Sequence, residues 1–191
     1  MTLDVIVKTY QRPWLLEICL GSIRHYWGSH VRVVVADDGT VPELWALTRE
    51  RLGPLADAWI HAGAGETRWP LCRAGRFHEA QHTCGWTWNA AVAACRTDTI
   101  FLIEDDSRVC RAFDQNGGVR LLAEHPDLLC LIGMRVRCNM ETGGEVVSVA
   151  GGSDEFYLRR HQVWPWSFDG VIYRRAAHAA LGSWPDGVNT G

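Results

Sequence analysis

Two short runs of β-branched residues flank a single helical stripe within the first forty positions, and this spacing restricts the fold more than any other feature of the chain. Leu3 to Thr9 carries Val5, Ile6 and Val7 in succession, which suits a strand buried on both faces. Tyr10 to Pro13 breaks that run. Pro13 then opens a segment in which Leu15, Leu16, Ile18, Cys19, Leu20 and Ile23 recur at helical spacing as far as Gly28, with proline in its favoured first-turn position. Val31 to Ala36 is a second buried run, stopped by Asp37, Asp38 and Gly39. Strand, helix and strand in so short a span predict two parallel strands joined by a right-handed crossover.

The same periodicity argument extends down the chain. It predicts a helix from Pro42 to Leu52, a short strand from Trp59 to His61, and a long loop rich in Gly, Arg and His from Ala62 to Cys84. Loops of that length inside compact domains tend to be functional. An Ala-rich helix is expected from Gly85 to Cys95, then a buried strand from Thr99 to Ile103 that runs into Glu104, Asp105 and Asp106. Beyond it the spacing predicts a helix around Val119 to Glu124 and a strand from Leu128 to Met134. A hairpin is expected to pair Arg135–Asn139 with Glu145–Ala150 through Thr142, Gly143 and Gly144. The tail holds an apolar segment, Phe168 to Tyr173, and a helix from Arg175 to Leu181. No repeat, low-complexity tract or linker divides the 191 residues, so one α/β domain with helices flanking a mostly parallel sheet is expected.

Composition narrows the functional classes. Hydrophobic residues make up 47% of the chain, and 19 basic against 22 acidic side chains leave a net charge of −3, so burial can offset the ordering entropy and disorder is excluded. No window approaches the ~18 consecutive apolar residues of a membrane span. Asp4 and Lys8 stand near the start, where a secretory segment would be apolar, which leaves a cytoplasmic protein with no membrane span as the expectation. Seven cysteines, an odd number without an export signal, read as reduced thiols. The ten tryptophans read chiefly as packing, with flat platforms for sugar or base rings as the alternative. The near-neutral balance argues against a broad electrostatic nucleic-acid surface.

The chemistry is concentrated in two acidic clusters. Asp37 and Asp38 follow the second strand, and Glu104, Asp105 and Asp106 follow the third long run. Open α/β sheets bind ligands beyond the carboxyl ends of their strands, where both clusters fall. Three consecutive carboxylates repel one another unless positive charge offsets them. Oxygen-only ligands with open positions suit Mg²⁺ or Mn²⁺, which completes its shell with phosphate oxygens. An acidic turn capping a helix is the plain structural alternative.

The segments DVIVKTYQRPWLLEICLGSI, VRVVVADDGT and GWTWNAAVAACRTDTIFLIEDDS together resemble a GT-A glycosyltransferase of the family 2 type. In that family a strand ending in Thr-Tyr-Asn-Arg-Pro, an Asp-Asp-Gly-Ser turn and a DxD-type motif follow in this order. The likeness spans roughly residues 3 to 110 and returns more weakly over 165 to 187, where FDGVIYRR and LGSWPDG are similar to the acceptor-side segment. It implies a single Rossmann-like GT-A domain, with residues 1–110 as the nucleotide-sugar and metal half and 111–191 as the acceptor half. It implies a metal-dependent, inverting transfer of a sugar from a nucleoside diphosphate donor, a UDP-sugar first among them, to an acceptor hydroxyl.

Residue by residue, the resemblance places Thr9, Tyr10 and Arg12 beside the nucleotide, with Tyr10 stacking near the base and Arg12 near ribose or phosphate. Asp38 would accept a hydrogen bond from the base, as a carboxylate does from the imide N–H of uracil. Asp105 would meet the ribose or the metal, Asp106 would be the main metal ligand, and Glu104 would support it. Asn89 matches a position near the donor sugar, and Arg73 or Arg76 would approach the diphosphate.

Three departures from the family pattern stand out. Lys8 occupies a position where a proline or small residue is usual, and Gln11 replaces an asparagine. Inverting members usually carry the catalytic base in an acidic motif some ten or more residues after the segment similar to LGSWPDG; within this sequence Asp186 is the nearest substitute by position and Asp169 the next. The other functional classes rest on other features. Cys72, His78, His82 and Cys84 offer a non-standard zinc spacing and a structural module. A nucleotidyltransferase would share the sheet, yet Thr9 to Pro13 contains no glycine for a phosphate loop. A nucleotide-sugar-binding protein without catalysis is the third. Arginines 108, 111, 120, 135, 137, 159, 160, 174 and 175 would mark an anionic acceptor, modified nucleic acid included, if they lined the acceptor groove. Without that, a saccharide, protein or small-molecule acceptor remains open.

Overall fold

The computed structural model describes residues 3–62, 84–110, 112, 115–125, 130–133, 145–148, 155–158 and 170–181. Strand β1 is Leu3–Thr9 and helix α1 is Pro13–Trp27, and β2 runs Val31–Asp37. They form the strand–helix–strand unit that the β-branched runs predict. Helix α2 (Pro42–Leu52), β3 (Ala58–His61), α3 (Cys84–Ala94) and β4 (Thr99–Glu104) follow. Then come α4 (Gln115–Glu124), β5 (Cys130–Gly133), β6 (Glu145–Ser148), β7 (Glu155–Leu158), β8 (Val171–Arg174) and α5 (Arg175–Leu181).

The strands join in one sheet with the order β3-β2-β1-β4-β8-β5-β7-β6. β1 lies between β2 and β4 and pairs in parallel with both, and β2 pairs in parallel with β3. From β8 outward every pairing is antiparallel. Only β7 and β8 therefore run against the common direction, and the sheet is mostly parallel in sense.

Strand alternation assigns the two cores. On one face Leu3, Val5 and Val7 of β1 and Val31, Val33 and Val35 of β2 meet Leu16, Cys19, Leu20, Ile23 and Trp27 of α1, together with Val119, Leu121 and Leu122 of α4. The stripe at residues 16, 19, 20, 23 and 27 is the i, i+3, i+4 pattern of a helix with one face inward. On the other face Ile6, Val34, Ala36, Ile100 and Leu102 pack on Trp88, Ala91, Val92 and Cys95, contributed by α3 and the residue after it. Each large aliphatic side chain fully buried in this way contributes about 1.5–3 kcal/mol.

Asp4, fully buried at the opposite end of β1 from the acidic clusters, ties the lower edge of the sheet together. It accepts from Arg32 Nη1 at 2.9 Å, from the backbone N–H groups of Arg96 and Thr97 at 2.6 and 2.7 Å, and from Thr97 Oγ1 at 2.8 Å. Burial alone would raise its pKa, but Arg32 and these donors hold the carboxyl below its ordinary 3.8.

Glu145–Ser148 pairs with Glu155–Leu158, a strand that weak alternation concealed, and residues 134–144, including the expected strand Arg135–Asn139 and its turn, lie outside the described residues. β8 begins at Val171 and inserts between β4 and β5. Among the described residues no helix is long and apolar enough to cross a membrane.

Candidate active site at the carboxyl ends of the central strands

The hydrogen bonding to β1 continues one residue past the ends of β2 and β4. Asp38 N–H donates to the Thr9 carbonyl at 3.0 Å, and Asp105 N–H donates to the Lys8 carbonyl at 3.0 Å. This places the two acidic clusters on either side of the end of β1, although they are far apart in sequence.

Thr9 Oγ1 donates to Asp105 Oδ2 at 2.6 Å. Arg12 lies one turn further along the chain. Gln11, at φ 58°, reverses the backbone, and the Arg12 carbonyl accepts the first N–H groups of α1 from Leu15 and Leu16 at 3.1 Å each. Fixed in this way, the Arg12 side chain reaches both carboxylates of the β4 turn. Its Nη2 is 2.5 Å from Asp105 Oδ1, and its Nη1 is 3.4 Å from Asp106 Oδ2. The Asp105 side chain is fully buried, whereas that of Asp106 is 49% exposed.

Burial governs the titration of the groups at the site. Burial raises the Asp105 pKa despite the opposing Thr9 hydrogen bond and Arg12 charge. Burial and then the Asp106 charge raise that of Glu104 against Lys8 and Arg12. The thiol of Cys19, under the turn, is pushed up to about 12, by burial first and then by Asp105 and Asp106. Among the described residues Asp105 Oδ1 meets no donor in hydrogen-bond geometry; its close neighbour is the Arg12 nitrogen.

The carboxylates do not all converge. Ile100 and Leu102 face α3 while Phe101 and Ile103 face α1, so Glu104 continues the α3 side. There it stands beside its register partner Lys8. Asp105 turns to Thr9 instead. No three His, Cys, Asp or Glu side chains among the described residues form a closed metal cage. The donor set would suit a cation of another kind, held chiefly by the half-exposed Asp106 and completed by phosphate and water oxygens, the usual habit of Mg²⁺ and its relatives.

Asp38 is buried on the α3 side. It accepts from Thr87 Oγ1 at 3.2 Å and lies 3.9 Å from Lys8 Nζ, and Lys8 in turn sits 5.1 Å above the Trp88 ring. Lys8, Thr87 and Trp88 are the neighbours that sequence reasoning missed around Asp38. The departure at position 8 was the available signal, because a lysine at the end of a buried strand needs a counter-charge.

Asp37 has a different task. Its Oδ2 accepts from Gly39 N–H at 3.0 Å, Thr40 N–H at 2.7 Å and His61 Nδ1–H at 2.7 Å, and Thr40 Oγ1 donates to its Oδ1. Thr40 Oγ1 also receives the Gln11 N–H at 2.9 Å. The first aspartate of the pair thus locks the turn, while the second is engaged on the α3 side by Thr87 and Lys8. Such local carboxylate–backbone bonding is the ordinary behaviour of aspartate in turns.

Asn89 lies apart from this group. It lines a groove of about 550 Å³ with Val92, Asp98, Arg175 and His178, and Asp98 belongs to the other end of β4. Tyr10, half-buried, follows Thr9 at the rim. Asp169, Asp186, Arg73, Arg76, Cys72, His78 and His82 lie outside the described residues, as does the side chain of Cys84. Two arginines of the acceptor set are committed to the fold. Arg174 donates to the carbonyls of Leu122 and His125, and Arg175 donates to the Cys95 carbonyl at 2.7 Å.

No protein-family model and no curated protein sequence matches the chain. Solved structures do resemble it. TarS from S. aureus in complex with UDP superposes with a TM-score of 0.54 at 16% identity, over 95% of this chain and 49% of that one. A mannosyltransferase from Pyrobaculum calidifontis, in complex with GDP-Man and Mn²⁺, does so with a TM-score of 0.58 at 14% identity, over 96% and 47%. The chain therefore spans about half the length of each. At these identities the likeness establishes the fold, which is of the GT-A type, Rossmann-like and mostly parallel.

Proposed function

We propose that the chain is a GT-A glycosyltransferase of the family 2 type, transferring a sugar from a nucleoside diphosphate donor, UDP-sugars foremost, to an acceptor hydroxyl with inversion. The observation that carries this reading is the cluster at the end of β1. There Thr9 and Arg12 hold Asp105 and Asp106, and Asp38 stands on the neighbouring strand end. A Mn²⁺ or Mg²⁺ ion at Asp106 would supply Lewis-acid stabilisation of the negative charge that develops on the departing diphosphate.

The chain's own residues supply the remaining terms. Asp38 accepts the imide N–H of the base, and the hydrogen bond it accepts from Thr87 helps orient that carboxylate. Tyr10 stacks near the base at the rim of the cleft. Thr9 fixes Asp105 against rotation and keeps its other oxygen on the Arg12 guanidinium, beside the place of the ribose or the cation. Arg12 carries a two-pronged guanidinium suited to diphosphate oxygens. Together these contacts fix the anomeric carbon relative to the acceptor, a positioning effect. Arg76 approaches the diphosphate, and Glu104 backs the cation site electrostatically; Asn89, which the resemblance assigns to the sugar, lines the groove at the other end of β4 and is left out of this reading. Asp186, or Asp169 after it, removes the proton of the acceptor hydroxyl. In this reading residues 1–110 bind the donor and 111–191 bind the acceptor, whether saccharide, protein, small molecule or modified nucleic acid.

The test is release of nucleoside diphosphate from a panel of nucleotide sugars, with and without Mn²⁺, repeated on Asp106→Ala. Mn²⁺-dependent release that falls at least about 100-fold in the variant is expected, the scale of losing electrostatic stabilisation of a developing charge. Activity that survives the substitution overturns the metal assignment, and donor binding without release assigns the chain to the non-catalytic class.

A further inference from the structure

The Arg12 guanidinium stands where a divalent cation would have to act. Its contact with Asp105 is short and buried, while its contact with Asp106 is longer and half-exposed at 3.4 Å. One guanidinium thus bridges both carboxylates, and the Asp105 oxygen facing it is completely buried. A single positive charge shared between two carboxylates leaves the pair net negative. The backbone of Arg12 is held by α1, so only its side chain can move.

Building on the functional reading above, we propose that Arg12 is the resident counter-cation of the Asp105–Asp106 pair, a positioning residue that an incoming divalent ion displaces from Asp106. The displaced guanidinium keeps its anchor on Asp105 and turns toward the diphosphate. Metal and nucleotide are then coupled, because the ion alone must break an existing ion pair, whereas ion and diphosphate together give Arg12 a new partner. Linkage makes the coupling reciprocal: the nucleotide tightens the ion as much as the ion tightens the nucleotide.

The experiment measures Mn²⁺ binding directly, by the electron paramagnetic resonance signal of free Mn²⁺, with and without uridine diphosphate. Arg12→Gln is expected to bind Mn²⁺ alone about tenfold more tightly than the wild type and to lose most of the tightening that uridine diphosphate gives. Arg12→Lys keeps the charge without the two-pronged bridge, and it too is expected to bind Mn²⁺ more tightly than the wild type. If Arg12→Gln binds Mn²⁺ no better than the wild type, displacement is overturned. If only Arg12→Gln gains while Arg12→Lys matches the wild type, the effect is net charge and displacement is again overturned. Asp106→Asn reports separately on the underlying reading: Mn²⁺ binding that survives it shows that Asp106 is not the ligand, as does an absence of Mn²⁺ binding in every form. Urea midpoints of each variant confirm that the fold is retained.

Discussion

Gln11 takes a backbone conformation that side chains with a Cβ avoid, at φ 58°, because the chain must turn sharply from β1 into α1 while its N–H reaches Thr40. Asparagine tolerates that region better than glutamine, since its shorter polar side chain bonds locally. Gln11→Asn is therefore expected to stabilise the protein by about 0.5–1 kcal/mol, read as a higher urea midpoint with an unchanged slope. A lower midpoint would mean that the glutamine side chain itself supports the turn. At the same scale, Asp37 and Asp38 show how adjacent identical residues divide their work. One satisfies three donors of its own turn and a neighbouring strand's histidine. The other turns to Thr87 and Lys8, and the sequence alone does not separate them.

At the scale of elements, the central trio β2-β1-β4 has carboxylates at both ends, and they behave oppositely. Asp4 is saturated with donors, and its pKa is lowered from 3.8. A depressed carboxylate stabilises the fold fully above its unfolded value and loses that contribution as pH falls through the native value. Asp4→Asn is expected to cost about 3 kcal/mol near neutral pH, since it strands Arg32. It is also expected to flatten the loss of stability below about pH 4, seen in urea midpoints measured across pH. An acid slope as steep as that of the wild type would remove Asp4 from the account. At the upper end Glu104 and Asp105 have raised pKa values, so their ionisation works against folding. Elements that accept such a cost at one edge of the sheet depend on the staple at the other.

At the scale of the whole molecule, the two-sided core controls access. Cys19 and Cys95 lie in opposite faces of the sheet, and both thiols are pushed up to about 12, chiefly by burial. Cys110 is exposed beyond the β4 turn. Because the thiolate is the reactive form, iodoacetamide at pH 8 is expected to modify Cys110 in the native protein. Cys19 and Cys95 should be modified only after urea unfolding, as mapped by peptide mass. Modification of Cys19 at the rate of Cys110 would mean that the α1 face opens readily, and with it the floor of the candidate site.

The local alternation was legible in the order of residues: buried β-branched runs, the α1 stripe, the breaks at Asp37 and after Ile103, and so the parallel core with acidic residues at its rim. Those features follow from side-chain periodicity, a property of neighbouring residues. Tertiary structure decided what periodicity cannot carry. The insertion of β8 between β4 and β5, the pairing of β6 with β7, and the meetings of Thr9 with Asp105, Lys8 with Asp38 and Arg12 with both carboxylates each join residues from separate segments. Such contacts depend on how strands are ordered and in which register they pair, and the whole sheet must be assembled before either is fixed.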